Sequence, residues 1–520
     1  MTIFQAPIAA VVLLCLTLLN AGPGAAASAQ PVCEALPTFD AGLFPTRELH
    51  VAPPPLGNDQ SGDGSAARPF ATIRHAVGNA EPGTAVRVHP GSYAGGTFIS
   101  EVRGLADAPI WIGGMGSKPG QPPAARPVIE GGSDGLHLVQ CSYIVIHDLE
   151  VRGASGNGIN SDDGGEYANP LAAHHQVFRG LFIHDIGSSG NQDGLKLSGL
   201  RDFAVLDCEI MRCGGSMSGS GIDMVGCHGG VIARTFMHDL SANAVQAKGG
   251  STDVLITRCR MENAGERALN IGGSTGFKFF RPPLSETAPN AEARNIRAVA
   301  NIIVGSNAAF AFVGATDCLV AHNTVIEPRR WIFRILQETT SSPPYVFDPC
   351  SNNSVSSNLV YFRRGALSTH LNIGANTSPA TFVFRHNLWY AFDNPAASMP
   401  VLPSPEMGGI AGVDPMLRDA PGGNYAICGM SPAAGRGVSP APVPGDYLGV
   451  CYRDPPSIGS LEIPERPAGD FNKDGTLDTR DFFEFLSAFF TVQPAGDFNA
   501  DGVINSQDFF DFVAAFATGC

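Results

Sequence analysis

The sequence predicts an all-β chain, a right-handed parallel β-helix solenoid, followed by a small α-helical domain built on two acidic loops. Three observations predict it. Short β-branched runs return along the body at a spacing of about 21 to 33 residues. The chain holds 62 glycines and 40 prolines with only 16% charged residues, which favours turns and strands. One acidic loop pattern occurs twice within the last fifty or so residues.

At the amino terminus an apolar core, Ile8 to Leu19, is followed by Ala27-Ser28-Ala29. Residues 1–29 read as a secretory signal peptide, with a retained membrane anchor as the alternative, and imply an extracytoplasmic location. No other stretch is long enough to span a bilayer, so no membrane span is expected after cleavage. The formal charge of -15 argues against nucleic acid or an anionic membrane as partner. Removing Cys15 with the signal leaves an odd number of cysteines, so at least one thiol is free or paired between chains. Cys428 with Cys451 is an expected bridge, although spacing leaves connectivity open, and none of the spacings forms a zinc site.

The body, 30–451, carries the repeats. Ile144-Val145-Ile146-His147-Asp148, Ala204-Val205-Leu206-Asp207-Cys208, Gly230-Val231-Ile232-Ala233-Arg234 and Val254-Leu255-Ile256-Thr257-Arg258 are four of them. Leu319-Val320-Ala321-His322-Asn323 and Phe382-Val383-Phe384-Arg385-His386-Asn387 follow. Each is a short apolar run ending in a polar turn, which a solenoid gives when every coil adds one strand to each of several parallel sheets. The leucine frame of leucine-rich repeats is absent, and a propeller blade needs a longer repeat with four strands. Pro69-Phe70-Ala71-Thr72-Ile73 and Val86-Arg87-Val88-His89-Pro90-Gly91-Ser92-Tyr93 resemble the opening of pectate-lyase-like β-helix proteins. Val413-Asp414-Pro415 and Ser431-Pro432-Ala433-Ala434-Gly435-Arg436-Gly437 resemble their final turn. Residues 452–467, aperiodic and rich in Pro and Ser, read as a linker.

Aligning one strand of successive coils gives Gly158 to Asp162, Gly194 to Ser198, Gly221 to Val225, Ala244 to Lys248 and Ala268 to Gly272. Alternation turns the aliphatic residues inward and sets Asn160, Lys196, Asp223, Gln246 and Asn270 in one outward column, with Asp162, Ser198, Val225 and Lys248 in the next. Asp193, Asn243 and Arg267 flank them. Such a face suits β-elimination from a uronate: a cation neutralises the carboxylate and a base takes the C5 proton. Lys248 is the expected base, Lys196 the second choice, and Arg267 the residue that neutralises the uronate or protonates the leaving oxygen. This Lys and Arg arrangement is similar to β-helix lyases of alginate and dermatan-type chains, but their Arg-His-Gly string is replaced here by Asn270-Ile271-Gly272-Gly273. Gln246 and Asn270 are expected to contact substrate. So are Phe279 and Arg281, from an insertion running from Ser274 to Arg294. Arg329 to Pro349, with Trp331 and Tyr345, is a second insertion. Asp162, Asp163, Asp193 and Asp223 form a candidate calcium site in the solenoid. The plainer alternative for the outward Lys and Asp is a solvated outer face, and for either insertion a packing lid.

In 468–520, Asp470, Asn472, Asp474, Asp478 and Asp481 occupy positions 1, 3, 5, 9 and 12 of a loop, with Gly475 at position 6. The pattern returns as Asp497, Asn499, Asp501, Asn505 and Asp508, with Gly502 at the turn. The carbonyls of Thr476 and Val503 fill position 7. This is an EF-hand ligand set, hence two Ca2+ ions. Phe482, Phe485 and Phe489, then Phe509, Phe512 and Phe516, follow at helical spacing as two aromatic stripes that need a cover. With Asp at position 12, no preceding helix and a terminal Gly519-Cys520, the segment resembles GC-type dockerins. The resemblance implies calcium-dependent folding and attachment through a cohesin-like or cell-surface protein.

The expectation is therefore a secreted carbohydrate-active β-helix enzyme, a polysaccharide lyase on an acidic glycan, displayed by its tail. A non-catalytic glycan- or envelope-binding display protein and a β-helix glycoside hydrolase are the alternatives.

Overall fold

A computed structural model describes residues 33, 36–115, 125–187, 190–215, 218–439, 442–463, 469–473 and 477–518. Residues 1–29, expected to be a signal peptide, lie outside them, as do Asp474, Gly475, Thr476 and the terminal Gly519-Cys520.

The body is a parallel β-helix. In chain order each full coil lays one strand in each of three sheets. The first has thirteen strands, from Arg47–Val51 to Glu406–Met407, the second twelve, from Ser92–Ala94 to Ile410–Ala411, and the third ten, from Thr97–Ser100 to Leu371–Ile373. All their paired strands run parallel, and stacking in register builds the core. In the first sheet Ile146, Phe178, Val205, Ile232, Ile256, Ala298, Val320, Val355 and Phe384 form one fully inward column. Each large member contributes roughly 1.5–3 kcal/mol of burial.

The turn from first to second sheet is fixed by backbone conformation. Asp148, Asp207, Arg234, Arg258, Ala300, His322, Ser357 and His386 all take φ of 51 to 57° there. In the last coils the next residue points inward as asparagine and builds a ladder. The backbone N–H and side-chain amide of Asn301 both donate to Oδ1 of Asn323 at 3.0 Å. Asn323 donates likewise to Asn358, and Asn358 to Asn387. Glu406 ends the stack by accepting both groups of Asn387, at 3.0 and 2.7 Å, and the Trp389 indole N–H at 2.8 Å. Every side-chain amide of this ladder is thereby paired.

At the amino-terminal end the short helix Ile73–Gly78 buries Ile73, Ala76 and Val77 against the first coil and covers an otherwise open sheet end. The outer face of the first sheet is covered too. Leu36, Phe39 and Leu43 pack on Trp111, Val145, Val177 and Ala204, while Val443 and Tyr452 pack near Val299, Leu319 and Ala321. A disulfide joins these two coverings, Cys33 to Cys451. It corrects the expected Cys428–Cys451 pairing, because the backbone N–H of Cys33 reaches the carbonyl of Gly449 at 3.0 Å and sets Cys33 beside Cys451. Seven further cysteines are free and buried in the solenoid.

The linker expectation is corrected over 452–463. Ser457, Ile458 and Ser460 are fully buried, Ile458 packs with Leu359, Leu388 and Ile427, and Ser460 hydrogen-bonds Thr324. The polar composition that suggested a linker instead satisfies buried backbone: the Glu462 carboxylate accepts from the Ser457 and Ile463 N–H groups.

In the carboxyl-terminal segment the helices Thr479–Phe490 and Ser506–Thr518 face each other. Phe485 and Phe512 are fully buried and stack at 3.9 Å between ring centres, with Phe482, Phe489, Phe509 and Phe516 around them. The two aromatic stripes thus cover one another, which corrects the expectation that they await a partner. The large rings left exposed are Phe483, Phe490 and Phe510, at 44, 69 and 63%.

Candidate functional site

The outer face of the third sheet carries the polar column expected from the sequence. Register pairs Phe98 with His137, His137 with Asn160, Asn160 with Lys196, Lys196 with Asp223, Asp223 with Gln246 and Gln246 with Asn270. Val225 pairs with Lys248 in the adjacent column, and Asn243 with Arg267 at the corner. Leu195, Leu197, Ile222, Met224, Val245 and Ala247 alternate inward and fix these side chains outward.

At the centre lies Asp223, fully buried. Its Oδ2 contacts the Lys196 ammonium and lies 3.3 Å from Lys248 Nζ. Lys196 also reaches Asp193 Oδ2 at 3.3 Å, and Lys248 reaches Gln246 Oε1 at 3.3 Å. Asp193 is held by its neighbours, accepting from the Ser220 N–H at 2.8 Å. Asp223 Oδ1 has no hydrogen-bond partner although it is buried.

Electrostatics separate the two carboxyls. Burial, then the charge of Asp223, push Asp193 up to about 6. Burial also opposes ionisation of Asp223, but Lys196 and Lys248 outweigh it and hold that carboxyl below its ordinary value. For Lys196 burial opposes the charge, and the carboxylates of Asp223 and Asp193 outweigh it and raise the ammonium above its ordinary range. The result is a cluster of two lysines around one carboxylate held below its ordinary range, with a second carboxyl pushed up to about 6.

Other expected residues are placed differently. Arg267 lies beside the column, but its guanidinium bonds Asn270 at 2.9 Å and Glu338 at 2.8 Å. Asn270 is buried as the acceptor in that contact. Arg281 is not directed at a groove. It forms a two-point ion pair with Asp163, at 2.6 and 3.2 Å, with its guanidinium over the Tyr167 ring. Gly199 and Gly226, both at positive φ, leave the space its side chain crosses. The insertion is therefore strapped down rather than standing over a groove, and only Phe279 of the two predicted contacts from it is substantially exposed.

The four carboxylates offered as a calcium site are not brought together. Asp162 bonds His137 at 2.7 Å, Asp163 pairs with Arg281, and Asp193 and Asp223 share Lys196. Each is already matched to a cation or to histidine. Among the described residues no group of three or more His, Cys, Asp and Glu side chains is arranged to hold a metal.

Sequence reasoning missed two parts of this face. His137 extends the column below Asn160, with Phe98 edge-on to it at 5.2 Å. Above it, Trp331–Leu336 is a strand of the third sheet and not the start of an insertion, so Trp331 and Arg334 stand in the columns of Arg267 and Asn270. The β-branched and aromatic run Trp331-Ile332-Phe333-Arg334-Ile335-Leu336 was the signal.

In the carboxyl-terminal segment the described parts of both acidic loops are folded around buried position-12 aspartates. Asp481 accepts from the N–H groups of Asn472 and Asp478, and Asp508 from those of Asn499 and Asn505. Gly502 has φ of 87° and donates to Asp497. These backbone-to-side-chain bonds fold the second loop around Asp497 and Asp508. Asp474 and Thr476 of the first loop lie outside the described residues.

No protein-family model matches the chain, and no curated protein matches it. Solved structures with a similar backbone include pectate lyase Pel9A, at 14% identity and a TM-score of 0.49, covering 81% of this chain and 98% of that one. An alginate lyase from Paenibacillus sp. str. FPU-7 gives 19% identity and 0.40 over 63% and 99%. A glycoside hydrolase gives 10% and 0.41 over 70% and 96%. At these scores the likeness assigns no activity to the chain.

Proposed function

We propose that the protein is a secreted polysaccharide lyase that cleaves a uronate-containing glycan by β-elimination on the outer face of the third sheet. The observation that carries the reading is the Lys196–Asp223–Lys248 cluster, two lysines and one buried carboxylate on the outer face of the sheet. Lys248, acting as the uncharged amine, takes the C5 proton and becomes the ammonium, while the C5–H electron pair forms the C4=C5 bond, the C4–O bond breaks and the leaving oxygen takes a proton from solvent. Lys248 has one carboxylate contact at 3.3 Å where Lys196 is wedged between two. Lys196 is a positioning residue that holds Asp223 ionised, and Asp223 in turn orients Lys248. Arg267, beside the column, neutralises the uronate carboxylate when substrate displaces Glu338. Gln246 and the exposed ring of Phe279 contribute substrate contacts.

We further propose that 468–520 is a dockerin-like domain that folds on two Ca2+ ions and attaches the enzyme to a cohesin-like or cell-surface protein. The loop geometry around Asp481 and Asp508 supports this.

A glycoside hydrolase is the second reading. It is favoured by the divergence of Asp193, raised to about 6, from Asp223, held low, since hydrolysis needs one protonated and one ionised carboxyl. Incubation with alginate, pectate and glycosaminoglycans, followed by ultraviolet absorbance of unsaturated product, separates the two. Absorbance that is lost in Lys248→Ala supports elimination; full activity in that variant overturns the assignment. Reducing ends without absorbance favour hydrolysis, and binding without either favours a display protein.

A further inference from the structure

Three coils beyond Lys248 the third sheet carries a second concentration of positive charge. In register, Arg267 pairs with Ala308 and Ala308 with Trp331, while Asn270 pairs with Ala311, Ala311 with Arg334, and Arg334 with Asn372. At about 4.8 Å per coil, the Trp331 strand lies about 14 Å along the solenoid from the strand of Lys248.

Two guanidinium groups converge on one indole there. Arg330 lies 4.2 Å and Arg334 4.4 Å from the Trp331 ring centre. Such contacts fix the planes of both guanidinium groups. Neither forms an ion pair among the described residues. Arg334 Nε donates to Asn372 Oδ1 at 2.9 Å, and Arg330 is exposed. The nearby carboxylate of Glu338 is engaged by Arg267 at 2.8 Å. Burial, then the charge of Arg267, hold Arg334 below the ordinary guanidinium range, as expected where positive charge is incompletely neutralised. In a chain of formal charge -15, three arginines gather here with two carboxylates nearby, Glu338 and Glu266.

We propose that Arg330, Trp331 and Arg334 form a recognition subsite for the carboxylate of a uronate residue, bound a few sugars along the chain from Lys248. This rests on the acidic-glycan reading above and adds a binding position to it. A guanidinium presents paired N–H groups that match a carboxylate in two-point geometry. The indole sets the direction of both. An extended glycan advances along the solenoid axis by about one sugar per coil, so one polymer reaches both positions.

The test uses the full-length protein in affinity electrophoresis through gels containing polygalacturonate, its neutral methyl ester, or alginate. Retardation by at least one polyuronate and not by the methyl ester is expected. Arg330→Glu, at an exposed position, and Arg334→Ala each weaken that binding by about tenfold or more, with unchanged thermal melting. Arg334→Lys, which keeps the charge but not the plane, restores part of it. Binding by Arg330→Glu equal to that of the unaltered protein overturns the subsite, as does equal retardation by the methyl ester. If no polyuronate retards the unaltered protein, the subsite and the acidic-glycan reading fall together. If the arginine variants lose binding but the unaltered protein releases no unsaturated product, the subsite stands and only the elimination reading falls.

Discussion

Replacing Asp193 by asparagine tests the electrostatics of the central cluster. Asp193 is fully buried, and its carboxyl titrates at about 6 in the folded protein, against 3.8 when unperturbed. That displacement is worth about 3 kcal/mol against the ionised form. In the unfolded chain the proton leaves first, so between about pH 4 and pH 6 the folded state binds more protons, and stability falls as pH rises through that window. Above it the penalty is complete. Asparagine keeps the acceptor for the Ser220 N–H and carries no charge, while Lys196 retains Asp223 as its counter-ion. Asp193→Asn should therefore be more stable than the unaltered protein by up to about 3 kcal/mol at about pH 7.5 and equal to it at about pH 3.5. Guanidinium unfolding followed by circular dichroism at both pH values gives the difference. If the variant is less stable at the higher pH, the Lys196–Asp193 pair is net stabilising and the reasoning fails.

The asparagine ladder predicts a large local dependence. Asn358→Ala removes four side-chain hydrogen bonds and strands the Asn323 N–H and the Val320 carbonyl in the core, a loss on the order of 4 kcal/mol. A denaturation midpoint indistinguishable from that of the unaltered chain would contradict the ladder. For the carboxyl-terminal segment, calcium chelation is expected to melt 468–520 and leave the solenoid folded; protection of its helix amides from hydrogen exchange in chelator would refute calcium-dependent folding.

How much of this was legible depended on the range of the interaction. The column from Asn160 to Asn270 follows from alternation within strands and a constant phase between coils, both local properties. The fates of Arg281 and Asp163 do not. They lie 118 positions apart, and their pairing depends on how an insertion folds back over four coils. Trp331 was placed in a loop because aromatic and basic residues surround it, although the β-branched and aromatic run Trp331–Leu336 favours a strand. The segment 452–463 misled for a related reason: its Pro and Ser content suggested a linker, yet the buried Ser457 and Glu462 accept from backbone N–H groups.

The bridge between Cys33 and Cys451 also has a mechanical meaning. A solenoid pulled from one end is weakest at its last coil, which can peel away with only one neighbour to hold it. Here the chain leading toward the carboxyl-terminal helices first packs 452–463 along late coils, and Cys451, just before that segment, is covalently tied to a segment whose neighbours, Leu36 to Leu43, lie across early coils. Tension arriving from the carboxyl-terminal side is passed in part to the opposite end of the stack. The body is then loaded as a closed loop, and the coils that carry Lys196, Asp223 and Lys248 lie inside it.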